Sequence, residues 1–119
     1  MKLSDAELCV MKALWQGESF CLGELTAALS PVKGWSRNTV HTYLTRMEAK
    51  GLVKIDRAQP KPYSAAQAKE DWERGEREKL LVNVYGGAAG SLLSAFLKES
   101  HITPQERDRL RKLLDEMEV

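Results

Sequence analysis

The side chains whose types and spacing could do chemistry stand between residues 36 and 61. Ser36, Arg37, Asn38, Thr39, His41, Thr42, Thr45 and Arg46 can all make hydrogen bonds, and the cations Lys54, Arg57 and Lys61 follow them. This set suits a polyanion that also carries a readable pattern of donors and acceptors. Asparagine can pair bidentately with adenine, threonine can meet a thymine methyl or a base acceptor, and arginine can hold guanine or phosphate. Basic residues beside such a reader can straddle backbone phosphates and supply the salt-dependent part of affinity.

The element that must position the first group is a helix. Ser36 is a good N-cap, and the helix it opens runs to about Lys50, where Gly51 supplies a left-handed C-terminal residue. At 100° per residue Val40, Tyr43, Leu44 and Met47 form a core stripe, and Asn38, Thr42, Thr45 and Ala49 lie opposite, flanked by His41 and Arg46. A merely solvated helix face prefers Glu and Lys, so short uncharged polar residues there favour recognition over simple exposure.

Two helices precede it. Ser4 and Glu7 make a capping box for the first, whose apolar residues Ala6, Val10, Ala13 and Leu14 lie on one stripe and Leu8, Met11 and Trp15 on another, so that it is buried on more than one side. Gly17 stops it near the place of a C-terminal capping glycine. The second helix fits Leu22 to Leu29 and is expected to end at Ser30-Pro31. After the third helix, residues 52–57 alternate, a turn surrounds Gln59-Pro60, and residues 62–65 return as a partner strand, which puts Lys54, Arg57 and Lys61 on a hairpin. Three helices and a hairpin are the element order of a winged helix-turn-helix.

From about Ala66 the chain becomes charged helical sequence. Leu81, Val84 and Tyr85 share one face of a helix from Glu70, Gly86-Gly87 breaks it, and Leu92, Leu93, Phe96 and Leu97 cluster within residues 91–98. Thr103-Pro104-Gln105-Glu106 is a complete helix start, and Leu110, Leu113 and Leu114 line the helix that follows. Helices this short cannot close a core alone, so these ten residues are expected to meet a second copy. The expected architecture is mainly α with a small β-hairpin wing: residues 1–66 a winged helix-turn-helix, residues 67–119 a helical dimerisation module.

Charge agrees with this division. A net charge of +1 conceals seven basic and two acidic residues from Lys33 to Lys61, which points to a polyanion met by one face. No apolar run approaches the ~18 residues of a membrane span, and the polar start Lys2-Leu3-Ser4-Asp5 lacks a signal peptide's apolar region, so a cytoplasmic protein is expected. Cys9 and Cys21 lack metal-site spacing and read as small buried residues. His41 and His101 have no ligand set beside them, and no nucleophile with an adjacent base or phosphate-cradling loop occurs. Neither catalysis, metal nor cofactor is expected. Trp15 and Trp35 read as core or core-edge residues, and Trp72 as packing where the modules join.

The stretches 4-SDAELCVMKALW-15, 35-WSRNTVHTYLTRMEAKGLV-53, 85-YGG-87, 91-SLLSAFLKESHIT-103 and 106-ERDRLRKLLDEM-117 resemble the penicillinase-repressor family of winged-helix regulators, the BlaI, MecI and CopY type. The resemblance implies a homodimeric repressor on a palindromic double-stranded DNA operator. It also implies release by a regulatory protease that cuts an Asn-Phe bond in the fifth helix, where this chain has Ala95-Phe96. The copper-responsive branch carries a C-terminal cysteine cluster, whereas nothing after Cys21 here is a cysteine. Alternative readings are a ligand-responsive winged-helix regulator and a winged-helix adaptor for another protein; the uncharged polar residues of the third helix are the wrong ones for a protein interface core.

Overall fold

The computed structural model describes residues 2–117. Its elements are α1 (Asp5–Leu14), α2 (Leu22–Lys33), α3 (Arg37–Ala49), β1 (Val53–Ile55), β2 (Tyr63–Ala65), α4 (Lys69–Tyr85), α5 (Ala89–Glu99) and α6 (Pro104–Glu116). The chain forms two compact units, Met1–Arg74 and Gly75–Val119, with the division falling inside α4. The first unit is a winged helix-turn-helix, as its element order predicts.

In the first unit the caps form as the sequence reads. Ser4 Oγ accepts from the Glu7 N–H at 3.1 Å, while Glu7 Oε1 accepts from the Ser4 N–H at 3.0 Å. Val10, Met11 and Leu14 of α1 are fully buried together with Leu25 of α2 and Val40, Leu44 and Met47 of α3. Leu29, Leu52, Val53 and Tyr63 complete this core. The strands pair antiparallel, with Lys54 opposite Ser64, and are shorter than the alternating pattern suggests. A further bridge clamps the hairpin from outside: the Phe20 N–H donates to the Tyr63 carbonyl at 2.8 Å, and the Tyr63 N–H donates to the Phe20 carbonyl at 3.0 Å.

Two local expectations are corrected. Proline does not end α2: Pro31 lies inside it, and the helix closes at Gly34, whose φ is +65°. Proline costs a helix the bond to the carbonyl four residues back, here that of Ala27, which is exposed and open to water. Gly17, in turn, is not a left-handed cap, since α1 ends at Leu14 with Trp15 as its C-cap and Gly17 does not have positive φ. Its role is proximity, because a Cβ there would meet the Phe20 ring at 3.0 Å.

Glu7 also joins the ends of two helices. Its Oε2 accepts from Lys50 Nζ, at the C-cap of α3, at 2.7 Å, and only 7% of Glu7 is exposed. The Lys50 hydrogen bond, followed by that from the Ser4 backbone, holds the Glu7 carboxyl below the usual glutamate range. A depressed carboxyl pKa contributes stability above the unfolded value, and that contribution is lost as pH falls through the folded one. Glu7→Gln is therefore expected to lower the unfolding free energy by about 1 kcal/mol at pH 7. The deficit should shrink as the pH falls from about 4.3. Urea denaturation of both proteins at neutral and acid pH measures this, and a deficit equal at both would assign it to packing.

In the second unit Gly86 and Gly87, with φ of +57° and +86°, end α4, and the Gly87 N–H donates to the Leu81 carbonyl at 2.9 Å. Thr103 caps α6 through Glu106, with Pro104 at the first helical position. None of α4, α5 and α6 contains a buried residue among those described. Among the described residues no single helix is long and apolar enough to cross a membrane.

Candidate nucleic-acid interface

The helix α3 is held from behind and is open in front. Val40, Leu44 and Met47 anchor it in the core, and Tyr43 stacks on Trp35 with ring centroids 4.4 Å apart and planes 11° from parallel, which pins the chain entering the helix. Arg37, Asn38, His41, Thr42, Thr45 and Arg46 are all exposed. No apolar side chain interrupts that set.

Several hydroxyls already have work. Ser36 Oγ accepts from the Thr39 N–H at 3.3 Å and lies 3.1 Å from Thr39 Oγ1, so Ser36 and half-buried Thr39 form the helix start. Thr42 Oγ1 donates to the Asn38 carbonyl at 2.9 Å, and Thr45 Oγ1 donates to the His41 carbonyl at 3.0 Å. These bonds consume the hydroxyl protons and fix each rotamer. What remains for a partner is an oxygen acceptor and a methyl group on each threonine.

The wing cations differ from one another. Lys54 is exposed on β1 and, among the described residues, has no carboxylate within ion-pair distance. Arg57 makes a forked pair with Glu48 of α3, with Nη1 and Nη2 each 3.1 Å from a carboxylate oxygen. Lys61 lies 3.4 Å from Glu24 of α2. The Arg57 hydrogen bond lowers the Glu48 pKa and the same bond raises that of Arg57. Glu24 is lowered first by the Cys21 backbone N–H, which its Oε1 caps at 3.0 Å, and then by Lys61. Both carboxylates thus stay ionised well below neutral pH. Glu48 and Glu24 were not candidates from sequence; the only signal for Glu48 is that it is the single acid on α3.

The second unit carries the other candidates. Leu81, Tyr85, Leu92, Leu93 and Leu110 are half-buried, while Val84, Phe96, Leu97, Leu113 and Leu114 are exposed. Val82 and Ile102, which the periodicity did not single out, are exposed too. The Ala95-Phe96 bond lies within α5, where the Ser100 N–H donates to the Phe96 carbonyl at 2.9 Å. Trp72 packs on Trp15, with centroids 5.7 Å apart, and Trp15 Nε1 donates to the Gln67 carbonyl at 2.9 Å. Among the described residues no cluster of three metal-ligating side chains occurs.

Comparison with known proteins gives a consistent set of relatives. The chain is 28% identical over 116 residues to the penicillinase repressor of Bacillus licheniformis, covering 97% of this chain and 91% of that one. It is 26% identical over 116 residues to the methicillin resistance regulatory protein MecI of Staphylococcus aureus strain N315, covering 96% and 94%. Among solved structures it is similar to monomeric Bacillus licheniformis BlaI in complex with the blaP half-operator, at 32% identity and a TM-score of 0.52, over 60% of this chain and 88% of that one. The model of the family described as penicillinase repressor matches residues 3–116, and the chain belongs to that family.

Proposed function

We propose that the protein is a DNA-binding transcriptional repressor that acts as a homodimer on a palindromic operator in the cytoplasm. The observation that carries the reading is the face of α3: exposed Asn38, Thr42, Thr45 and Arg46 stand over a fully buried Val40-Leu44-Met47 stripe. A helix held in this way can enter the major groove, about 12 Å wide, and present short polar side chains to base edges. The BlaI relative solved with its half-operator and the family match support the same use of this fold. Two copies would place two such helices about 34 Å apart, one helical turn of DNA. In this reading a protease releases the operator by cutting at Ala95-Phe96, which requires α5 to unwind there first.

Asn38→Ala and Thr42→Ala are each expected to weaken operator binding by about 1–3 kcal/mol while leaving binding to random duplex nearly intact. Thr42→Val separates the two surfaces that the threonine still offers. Full affinity in Thr42→Val would assign the contact to the methyl group, and a loss equal to that of Thr42→Ala would assign it to the hydroxyl oxygen. Fluorescence anisotropy with operator and random duplex measures all three. Equal losses on both duplexes would mean that α3 meets only phosphate, and the reading of it as the base-reading element would fall.

A further inference from the structure

The basic run from Lys33 to Lys61 is less available than its sequence suggests. Three of its seven cations end at carboxylates: Lys50 at Glu7, Arg57 at Glu48 and Lys61 at Glu24. The first pair serves helix packing, but the other two lie on the hairpin, where phosphate contacts would be made. Arg57 uses two guanidinium nitrogens on Glu48, the fork geometry it would otherwise offer to a phosphate. The acids come from the recognition helix and from α2, so Arg57 and Lys61 are both tied back to the helix-turn-helix.

We propose that Glu48 and Glu24 limit the affinity of this surface for duplex DNA by holding Arg57 and Lys61 in intramolecular ion pairs, so that among the described residues Lys54 is the wing cation without a carboxylate partner. The proposal rests on the reading of α3 and the wing as the DNA interface. Its physical basis is charge balance. A cation already neutralised by a carboxylate releases few counterions when it approaches DNA, and a cation that leaves its carboxylate exposes that negative charge beside the phosphates. Either way the pair weakens attraction to any duplex, whatever its sequence. The base-reading residues of α3 then supply a larger share of the operator affinity, and binding to the rest of the genome stays weak. Glu48 and Glu24 are in this sense specificity-setting residues that need not touch a base.

The test is the salt dependence of binding to a random-sequence duplex, measured for the full chain and for Lys54→Ala, Glu48→Gln, Glu24→Gln and the double variant Glu48→Gln/Arg57→Gln. Glutamine keeps the size of each acid and, at position 24, an acceptor for the Cys21 N–H. The plot of log affinity against log salt should flatten by about 0.9 in Lys54→Ala and steepen by up to about 0.9 in each single glutamine variant. Affinity of Glu48→Gln at low salt should rise roughly threefold to tenfold. Removing Arg57 as well in the double variant should abolish that gain, and Glu73→Gln on α4, which makes the same change in net charge without releasing a wing cation, should not reproduce it. Thermal melts identify any variant that has lost its fold. Wild-type slope and affinity in both glutamine variants, with Lys54→Ala still flattened, would overturn the restraint while leaving the wing at the interface. An unchanged slope in Lys54→Ala would instead remove the wing from the interface, and the proposal with it.

Discussion

Phe96→Asp is expected to be monomeric and to lose operator affinity by about 10²–10⁴-fold, the gain that joining two half-site readers provides. The second unit leaves Phe96 53% exposed in one chain, beside Leu97 on α5, with Val84 on α4 and Leu113 and Leu114 on α6 also exposed. Burying each such side chain contributes about 1.5–3 kcal/mol, so a two-fold interface built from them would be stable and largely apolar. An aspartate placed there would be desolvated without a partner, which costs more than the lost contact itself. Sedimentation equilibrium gives the mass and an operator titration gives the affinity. A dimer with wild-type affinity would mean that these helices are not the interface, and the dimeric mechanism would lose its main support. Circular dichroism separates this outcome from simple unfolding. The first unit should be unaffected, since its core is its own.

Leu44→Ala is expected to destabilise the winged-helix unit by about 2–5 kcal/mol, through lost transfer energy and the cavity left behind. Leu44 is fully buried in the same cluster as Met11, Leu14 and Leu25, on the side of α3 opposite to Asn38 and Thr42. A small unit has little stability in reserve, so a loss of this size is a large fraction of the total. The melting temperature should fall by roughly 10 °C or more. Operator binding should weaken as the folded fraction falls, without the change in base preference expected of Asn38→Ala. Denaturant titration checks the value, and a loss under about 1 kcal/mol would mean that α3 is not seated as described.

Much of this architecture is legible in the chain because it is written in short-range terms. The Ser36 cap, the helical spacing of Val40, Leu44 and Met47, the positive-φ Gly51 and the Thr103-Pro104-Glu106 start are each set within one or two turns of helix, and all are found. The exposed polar face of α3 follows from the same periodicity, since an amphipathic helix that buries its apolar stripe turns its polar stripe to water. The end of α2 is not legible in the chain, because proline's penalty depends on whether the freed carbonyl can reach water, which is a property of the surface. The role of Gly17 is hidden for a similar reason, because the Phe20 ring beside it is placed by the turn and by the bridge to Tyr63.

The sequence by itself therefore determined the elements, their order and which face of each is apolar. Tertiary structure alone decided which distant charges meet. Arg57 reaches Glu48 across nine positions, Lys61 reaches Glu24 across 37, and Lys50 reaches Glu7 across 43. An ion pair needs its atoms within a few ångströms, and periodicity places a residue on a face without saying what lies opposite. The seven cations between Lys33 and Lys61 thus read as one basic field in the chain. In the fold, Arg57 and Lys61 are tied to carboxylates and Lys54 is not, because only packing brings α2, α3 and the hairpin within reach of one another.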